Sequence, residues 1–133
     1  MWPMMIGLAL PVAVALASRL AGLDRDRALY PVILIVIASY EPLFAVMASA
    51  WAALGRELLI FAVFTAIAVT GFRRSLKFVA FGLVLHGVFD LVHDEIVINP
   101  GVPGWWPAFC ASYDVVAMLC LAAPRLKPAR DAG

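Results

Sequence analysis

Long apolar runs, separated by short charged or Pro/Gly-containing stretches, account for most of the chain. Each run is close to the ~20 residues that an α-helix needs to cross the hydrocarbon core of a bilayer. We predict five membrane-spanning helices, at about 4–20, 28–50, 53–72, 76–98 and 105–123. The pattern predicts an all-α polytopic bundle, with one transmembrane domain over residues 1–123 and a cytoplasmic tail over 124–133.

Composition also favours lipid as the solvent. Hydrophobic residues make up 65% of the chain and charged residues 14%, whereas a soluble domain has about half and about a quarter. The net charge is +1 and no basic stripe is present, so we expect no nucleic-acid partner. Cys110 and Cys120 lie in one apolar run, about 15 Å apart along a helix, which is too far for a disulfide.

The basic residues predict the orientation. Nine of the ten lie around the first and third connections and in the tail: Arg19, Arg25, Arg27, Arg73, Arg74, Lys77, Arg125, Lys127 and Arg130. With the amino terminus outside and the carboxyl terminus inside, all nine would face the cytoplasm, as the positive-inside rule requires. Arg56 would lie outside, and we expect both Arg56 and Glu57 at the interface. The rings of Trp2, Trp105 and Trp106 are expected at the outer interface.

Three carboxylates on three helices are predicted to lie at one depth. Ionisable side chains inside a membrane are costly and are by default a hypothesis of function. Counted along the helices, Glu41 and Asp90 lie about 20 Å from the cytoplasmic ends and Asp114 about 14 Å from the outer face. We expect all three in the bundle interior. They cannot all stay ionised unless a cation or a protonated histidine balances them.

The fourth predicted helix carries a polar stripe. His86, Asp90, His93 and Asp94 recur at i, i+4, i+7 and i+8, and so share one face. The Asp90/His93 spacing matches the Glu-x-x-His pattern of helical di-metal sites, with Asp in place of Glu. His86 and His93 are about 10.5 Å apart along the axis, so Asp90 would be the shared ligand.

Two structural interpretations compete with a metal site. The stripe could be a hydrogen-bonded seam that joins helices, as polar residues do in membranes. Alternatively, His93 could lie near the outer headgroups with Asp94 and Glu95, and for the latter two simple solvation is the better interpretation.

Two further features adjoin the stripe. Cys110 and Asp114 lie one turn apart on the last helix, where Cys110 is either a small core residue or a ligand. Asp114 should face Asp90 or His86. Glu41 precedes Pro42, which removes a backbone hydrogen bond and predicts a kink beside that carboxylate.

The sequence His86-Gly-Val-Phe-Asp90-Leu-Val-His93, an Asn-Pro turn and Cys110-x3-Asp114 resemble a bacterial family called domain of unknown function 6010. Its members are small polytopic membrane proteins with a His-x3-Asp-x2-His helix, and the likeness covers residues 76–123. Asp94 departs from the second histidine expected there. The resemblance implies that these site residues act together and that the protein lies in a bacterial inner (plasma) membrane. The family has no assigned activity.

Three functions remain open. The first is a membrane enzyme acting on a lipophilic substrate, with or without a divalent Zn, Fe or Mn ion. Its catalytic residues would be Asp90, Asp114 and Glu41. Its metal ligands would be His86, Asp90, His93, Asp114 and Cys110. The second is a proton, metal-ion or small-molecule transporter, which would act as a homo-oligomer because no inverted repeat is visible. The third is a non-catalytic subunit of a membrane complex.

Overall fold

A computed structural model describes residues 1–25 and 27–124. Within these residues the chain is helical and has no strand. The helices are α1 (Trp2–Ala21), α2 (Leu29–Ala38), α3 (Tyr40–Met47), α4 (Trp51–Arg73), α5 (Leu76–Ile96) and α6 (Trp106–Ala122). Of the predicted tail, residues 125–133 lie outside the described residues, and with them Arg125, Lys127 and Arg130.

The prediction of an all-α bundle of membrane-spanning length is confirmed. Four stretches are long and apolar enough to cross a membrane: α1, α4, α5, and α2 with α3 as the single span Leu29–Met47. Helix α6 is also apolar but has 17 residues, at the short end of the range for a spanning helix.

The span formed by α2 and α3 is interrupted at Ser39, where the kink was predicted. Pro42 has no N–H, so the carbonyl of Ala38 loses its helical donor. At the break, the carbonyl of Val36 accepts from both the amide and the hydroxyl of Ser39, at 3.1 and 2.6 Å. Helix α3 then begins at Tyr40, which places Glu41 in its first turn, buried within the bundle.

Close packing brings α6 onto the polar face of α5. A Cβ atom at Gly87 would lie 3.3 Å from the Cβ of Asp114 and 3.5 Å from the backbone of Ala111. The absence of a side chain at Gly87 therefore lets Asp114 approach α5. Helix α5 also packs on α2 and α4, whereas α1 packs on α6 alone among the described helices.

The distribution of side chains is inverted relative to a soluble protein. Many leucine, valine and methionine side chains lie on the surface, as expected of a bundle solvated by lipid. The buried polar or charged residues are Ser18, Glu41, Glu57, His86, Asp90, His93, Asn99 and Asp114. Except for Ser18, each of these residues contacts another of them through its side chain.

Candidate metal centre

His86 lies at the centre of a buried cluster formed by α3, α5 and α6. Its Nδ1 atom is 2.8 Å from Oδ2 of Asp114 and 3.2 Å from Oδ2 of Asp90. On the opposite edge of the ring, Nε2 is 4.0 Å from Oε2 of Glu41. The three carboxylates that were predicted at one depth therefore surround a single imidazole.

Several polar atoms of this cluster lack a hydrogen-bond partner among the described residues. They are Nε2 of His86, both carboxylate oxygens of Asp90 and Oδ1 of Asp114. Nδ1 carries at most one hydrogen, which the shorter contact, to Asp114, would use. Burying polar atoms without partners costs about 1–3 kcal/mol each. The cluster is therefore suited to a further group that can contact these atoms.

Four residues can direct donor atoms at one point. His86, Asp90, Cys110 and Asp114 each offer a ligand atom, these atoms all lie within 4.8 Å of one another, and all four residues are buried. In a tetrahedral zinc site, two donor atoms bound to the same ion are about 3.4 Å apart. A modest contraction of the side chains would thus enclose an ion. A nitrogen, sulfur and carboxylate donor set suits Zn or Fe better than Mg or Ca.

Glu41 is held in place by an indole. Nε1 of Trp106 donates to Oε1 of Glu41 at 3.0 Å, while Oε2 faces His86. The ring of Trp106 is only 6% exposed and packs against Tyr40 and Phe44, so it points into the bundle and not outward as expected of an interfacial ring, while its depth in the membrane stays a prediction. Trp2 and Trp105 are exposed and lie together, with ring centroids 6.1 Å apart.

His93 belongs to a second cluster. Its Nε2 is 2.8 Å from Oε1 of Glu57, and its Nδ1 is 3.4 Å from Oδ1 of Asp94. The two ring nitrogens thus face two different carboxylates, one buried and one 83% exposed. His93 is not among the four residues whose donor atoms converge at the first cluster. Asp94 and Glu95 are exposed, in agreement with their interpretation as solvated residues.

Glu57 was missed as an interior residue. Glu57 is 1% exposed while Arg56 is exposed, so the Glu57 side chain lies inside the bundle and not among headgroups as expected, and the depth of the pair in the membrane stays a prediction. Successive helical residues point about 100° apart, so one of the two side chains can face the interior while the other faces the surface. An acidic residue within an apolar run is by itself a reason to predict a side chain in the bundle interior.

Asn99 links the second cluster to α3. Its Nδ2 atom donates to Oε1 of Glu57 at 2.8 Å and to the carbonyl of Glu41 at 3.1 Å. Its Oδ1 accepts from the amide of Gly101 at 3.1 Å, as Asn commonly does in turns. The sequence predicts that Asn99 lies in a turn, but its hydrogen bonds to Glu41 and Glu57 depend on the tertiary packing.

An apolar cleft of about 450 Å³ lies beside the first cluster. It is lined by α1, the α2–α3 span and the amino-terminal half of α6 together with Trp105, and none of its lining residues is acidic, basic or histidine. Its floor includes the buried side chains of Ile37, Trp106 and Tyr113. Trp106 thus contacts the cleft and also binds Glu41 of the cluster.

The fold and the cluster together define an α-helical protein, apolar enough to cross a membrane several times, with ionisable residues gathered in its interior. Comparisons with protein-family models, with curated proteins and with solved structures find no match to the chain. The resemblance to the domain of unknown function 6010 family stays a prediction, neither supported nor opposed by these comparisons.

Proposed function

We propose that the protein is a metal-dependent membrane enzyme that acts on a lipophilic substrate. The observation that carries the proposal is the convergence of His86, Asp90, Cys110 and Asp114 at one buried point. We place the enzyme in the bacterial inner membrane with its amino terminus outside, on the basis of the basic residues and the family resemblance. In that orientation the cluster lies in the outer half of the bilayer.

Charge balance favours a cation in the cluster. Glu41, Asp90 and Asp114 would carry three negative charges if ionised, and His86 can supply one positive charge. Among the residues that the structure describes, no lysine or arginine forms an ion pair with them. Uncompensated charges in a low-dielectric interior cost several kcal/mol each. A divalent ion would compensate two of the charges and engage the unpartnered oxygen atoms.

The number of donors bears on the role of the ion. Four protein ligands fill a tetrahedral zinc site, and such closed sites are structural. The same four leave two positions open on a six-coordinate iron or manganese ion. We therefore favour Fe for a catalytic centre, or Zn with one of the four residues released, because the thiolate and imidazole donors suit these ions better than Mn. The ion would supply Lewis-acid or redox chemistry.

Individual side chains would have distinct roles. Nδ1 of His86 faces Asp90 and Asp114 and would be the ligand atom, which leaves Nε2–H to face Glu41. At 4.0 Å, Oε2 of Glu41 lies beyond hydrogen-bond distance of Nε2, and a closer approach would let it accept from Nε2–H and orient the ring, as carboxylates do for ligating histidines. Because Glu41 lies outside the four-residue donor group, it would also be free to take up or release a proton during the reaction. Asp90 and Asp114 would hold the ion.

Metal analysis of the purified protein tests the site. We expect one equivalent of metal in the wild type and in Asp94→Asn, and none in Asp90→Asn. Asp94 is the matched control, because it is exposed and lies one turn away on the same helix. Likewise, Cys110→Ser should abolish the sulfur-to-metal charge-transfer band of the cobalt-loaded protein, whereas Cys120→Ser should not. Equal metal content in Asp90→Asn and the wild type would contradict the proposal.

Activity needs a separate test. Wild-type protein loaded with iron, manganese or zinc is incubated with a total lipid extract of the expression host, and the products are compared by mass spectrometry. We expect a lipid change that is absent with Asp90→Asn and with Glu41→Gln but present with Asp94→Asn. A bound metal with no lipid change under any loading would contradict the enzyme and leave a structural metal.

A second candidate function is a proton pathway in a transporter, favoured by His93. Its ring joins the exposed Asp94 to the buried Glu57, and Asn99 holds Glu57 in place by donating to its Oε1. Histidine and carboxylate chains of this kind mark proton relays in membranes. Protein in vesicles with an internal pH dye should then conduct protons under an imposed potential. Conduction should be lost in Glu57→Gln but kept in Glu95→Gln.

A further inference from the structure

We propose that the cleft between α1 and α2 binds one neutral, single-chain lipophilic molecule, with the end of that molecule against Trp106. The cleft exists because α1 packs on α6 and makes no helix contact with α2 among the described residues. The inference rests on the proposed function only in naming this molecule as the substrate.

The cleft opens sideways, toward the lipid. Its rim is formed by apolar side chains that are 43–63% exposed, whereas its floor residues Ile37, Trp106 and Tyr113 are at most 8% exposed. The rim residues are Trp2, Ile6, Leu10, Val32, Val36 and Trp105. In a bilayer, this arrangement gives a molecule entry from the hydrocarbon core without passage through water.

The uncharged lining and the volume of the cleft indicate the chemical class of molecule that it can bind. Because no acidic, basic or histidine side chain lines the cleft, no counter-ion there would hold a phosphate or carboxylate headgroup. A volume of about 450 Å³ lies near the lower end of small-molecule sites, which span about 300–1,000 Å³. It therefore suits one alkyl or isoprenoid chain with a small neutral end, such as a long-chain alcohol, rather than a two-chain phospholipid.

Trp106 connects this cleft to the cluster. One side of the indole lines the cleft, and its Nε1 atom lies 3.0 Å from Oε1 of Glu41. Tyr113, which also lines the floor, directly precedes Asp114 in α6. An occupant that reaches the floor is thus separated from the His86 cluster by a single layer of side chains.

Trp106 is also a reporter for the test. A variant that retains only this tryptophan, with Trp2, Trp51 and Trp105 replaced by Phe, is prepared free of metal in vesicles of unbrominated phosphatidylcholine. Dibromo-octadecanol is then added as a quencher. We expect at least a twofold loss of Trp106 emission that saturates at a low mole fraction. A variant that retains only Trp51, which is lipid-exposed outside the cleft, should be quenched in proportion to the quencher added.

Filling the cleft provides the control. Val32→Phe with Val36→Phe should remove the saturable quenching, whereas Val46→Phe with Val63→Phe should keep it, since all four side chains are exposed and only the first two line the cleft. Quenching of Trp106 that does not saturate, or that survives the first pair, would overturn the proposal. Equal saturation with brominated phosphatidylcholine would overturn the chemical class.

The assay separates the cleft from the metal centre. It uses metal-free protein, so a failure of metal binding leaves its result interpretable. Quenching as expected, in a protein that binds no metal, would retain the lipid site and remove the metal-dependent enzyme. Stoichiometric metal binding without saturable quenching would retain the metal centre and remove the lipid site.

Discussion

Oε1 of Glu57 lies 2.8 Å from Nε2 of His93, and this buried contact joins α4 to α5. The same oxygen accepts from Asn99, which in turn donates to the backbone of Glu41. One carboxylate oxygen thus holds together α4, α5 and the turn after α5, and it indirectly holds α3. The cluster at His86 depends on the same helices.

Glu57→Ala should therefore destabilise the bundle by about 1–3 kcal/mol, because His93 and Asn99 would lose a buried acceptor. Glu57→Gln keeps an acceptor oxygen and should cost less. The measurement is the free energy of unfolding in mixed micelles, titrated with a denaturing detergent. Arg56→Ala is the matched control, since Arg56 is exposed, and its effect should stay within about 0.5 kcal/mol. Equal effects of Glu57→Ala and Arg56→Ala would refute the role of Glu57.

The turn between α5 and α6 contains two glycines with opposite environments. A Cβ atom at Gly101 would overlap the carbonyl oxygen of Phe44 and lie 3.0 Å from Cβ of Ala48, whereas one at Gly104 would meet no atom within 4 Å. Overpacking of this kind typically costs about 1–3 kcal/mol. Gly101→Ala should accordingly lower the unfolding temperature in micelles. Gly104→Ala should not, and a similar fall in both variants would show that the contact with α3 is unimportant.

Helix boundaries and the inward carboxylates were within reach of the sequence. Apolar runs of bilayer length predict the spans, and the missing N–H of Pro42 predicts the break near Glu41. Depth along each helix was sufficient to predict that Glu41, Asp90 and Asp114 would meet in the interior. Each of these inferences needs only the rise of a helix and the cost of a charge in lipid.

Other features depend on which helices contact one another, and the sequence of a single helix does not show its neighbours. Glu57 was assigned to the interface because it follows Arg56, although their helical directions differ by about 100°. Trp106 was assigned to the interface because tryptophan commonly lies there, whereas its N–H binds Glu41 inside the bundle. The cleft follows from the lack of contact between α1 and α2, which only the assembled bundle displays.

Glu41 should support metal binding without being a ligand. It lies outside the four-residue donor group and faces Nε2 of His86 at 4.0 Å. Loss of such an outer partner typically weakens metal affinity about 10–100-fold. Glu41→Ala should therefore weaken cobalt binding by a similar factor while a full equivalent still binds at saturation. Glu95→Ala, an exposed glutamate on α5, should bind cobalt as the wild type does.

The contrast with Asp90→Asn makes that prediction specific. A ligand variant should lose the bound equivalent itself, whereas Glu41→Ala should keep it at higher cobalt concentration. Complete loss of binding in Glu41→Ala, with folding intact by circular dichroism, would place Glu41 among the ligands instead. Unchanged affinity would show that it does not orient His86.

Gly87 connects helix packing to the cluster, because Cα of Ala111 and Cβ of Asp114 come within 3.5 Å of the position that a Cβ atom would take there. Gly87→Ala adds one tight contact, which a small shift of α6 can absorb. Gly87→Val adds two further methyl groups and should push α6 away, separating Asp114 from His86.

We therefore expect near wild-type cobalt affinity in Gly87→Ala but at least a tenfold loss in Gly87→Val, which should also be less stable by about 1–3 kcal/mol. Gly55→Ala is the control, because a Cβ atom at that position in α4 meets no atom within 4 Å. It should leave cobalt affinity unchanged and could raise stability by up to about 1 kcal/mol, as replacing glycine within a helix often does. Wild-type cobalt affinity in Gly87→Val would mean that the donors converge without close packing of α5 on α6.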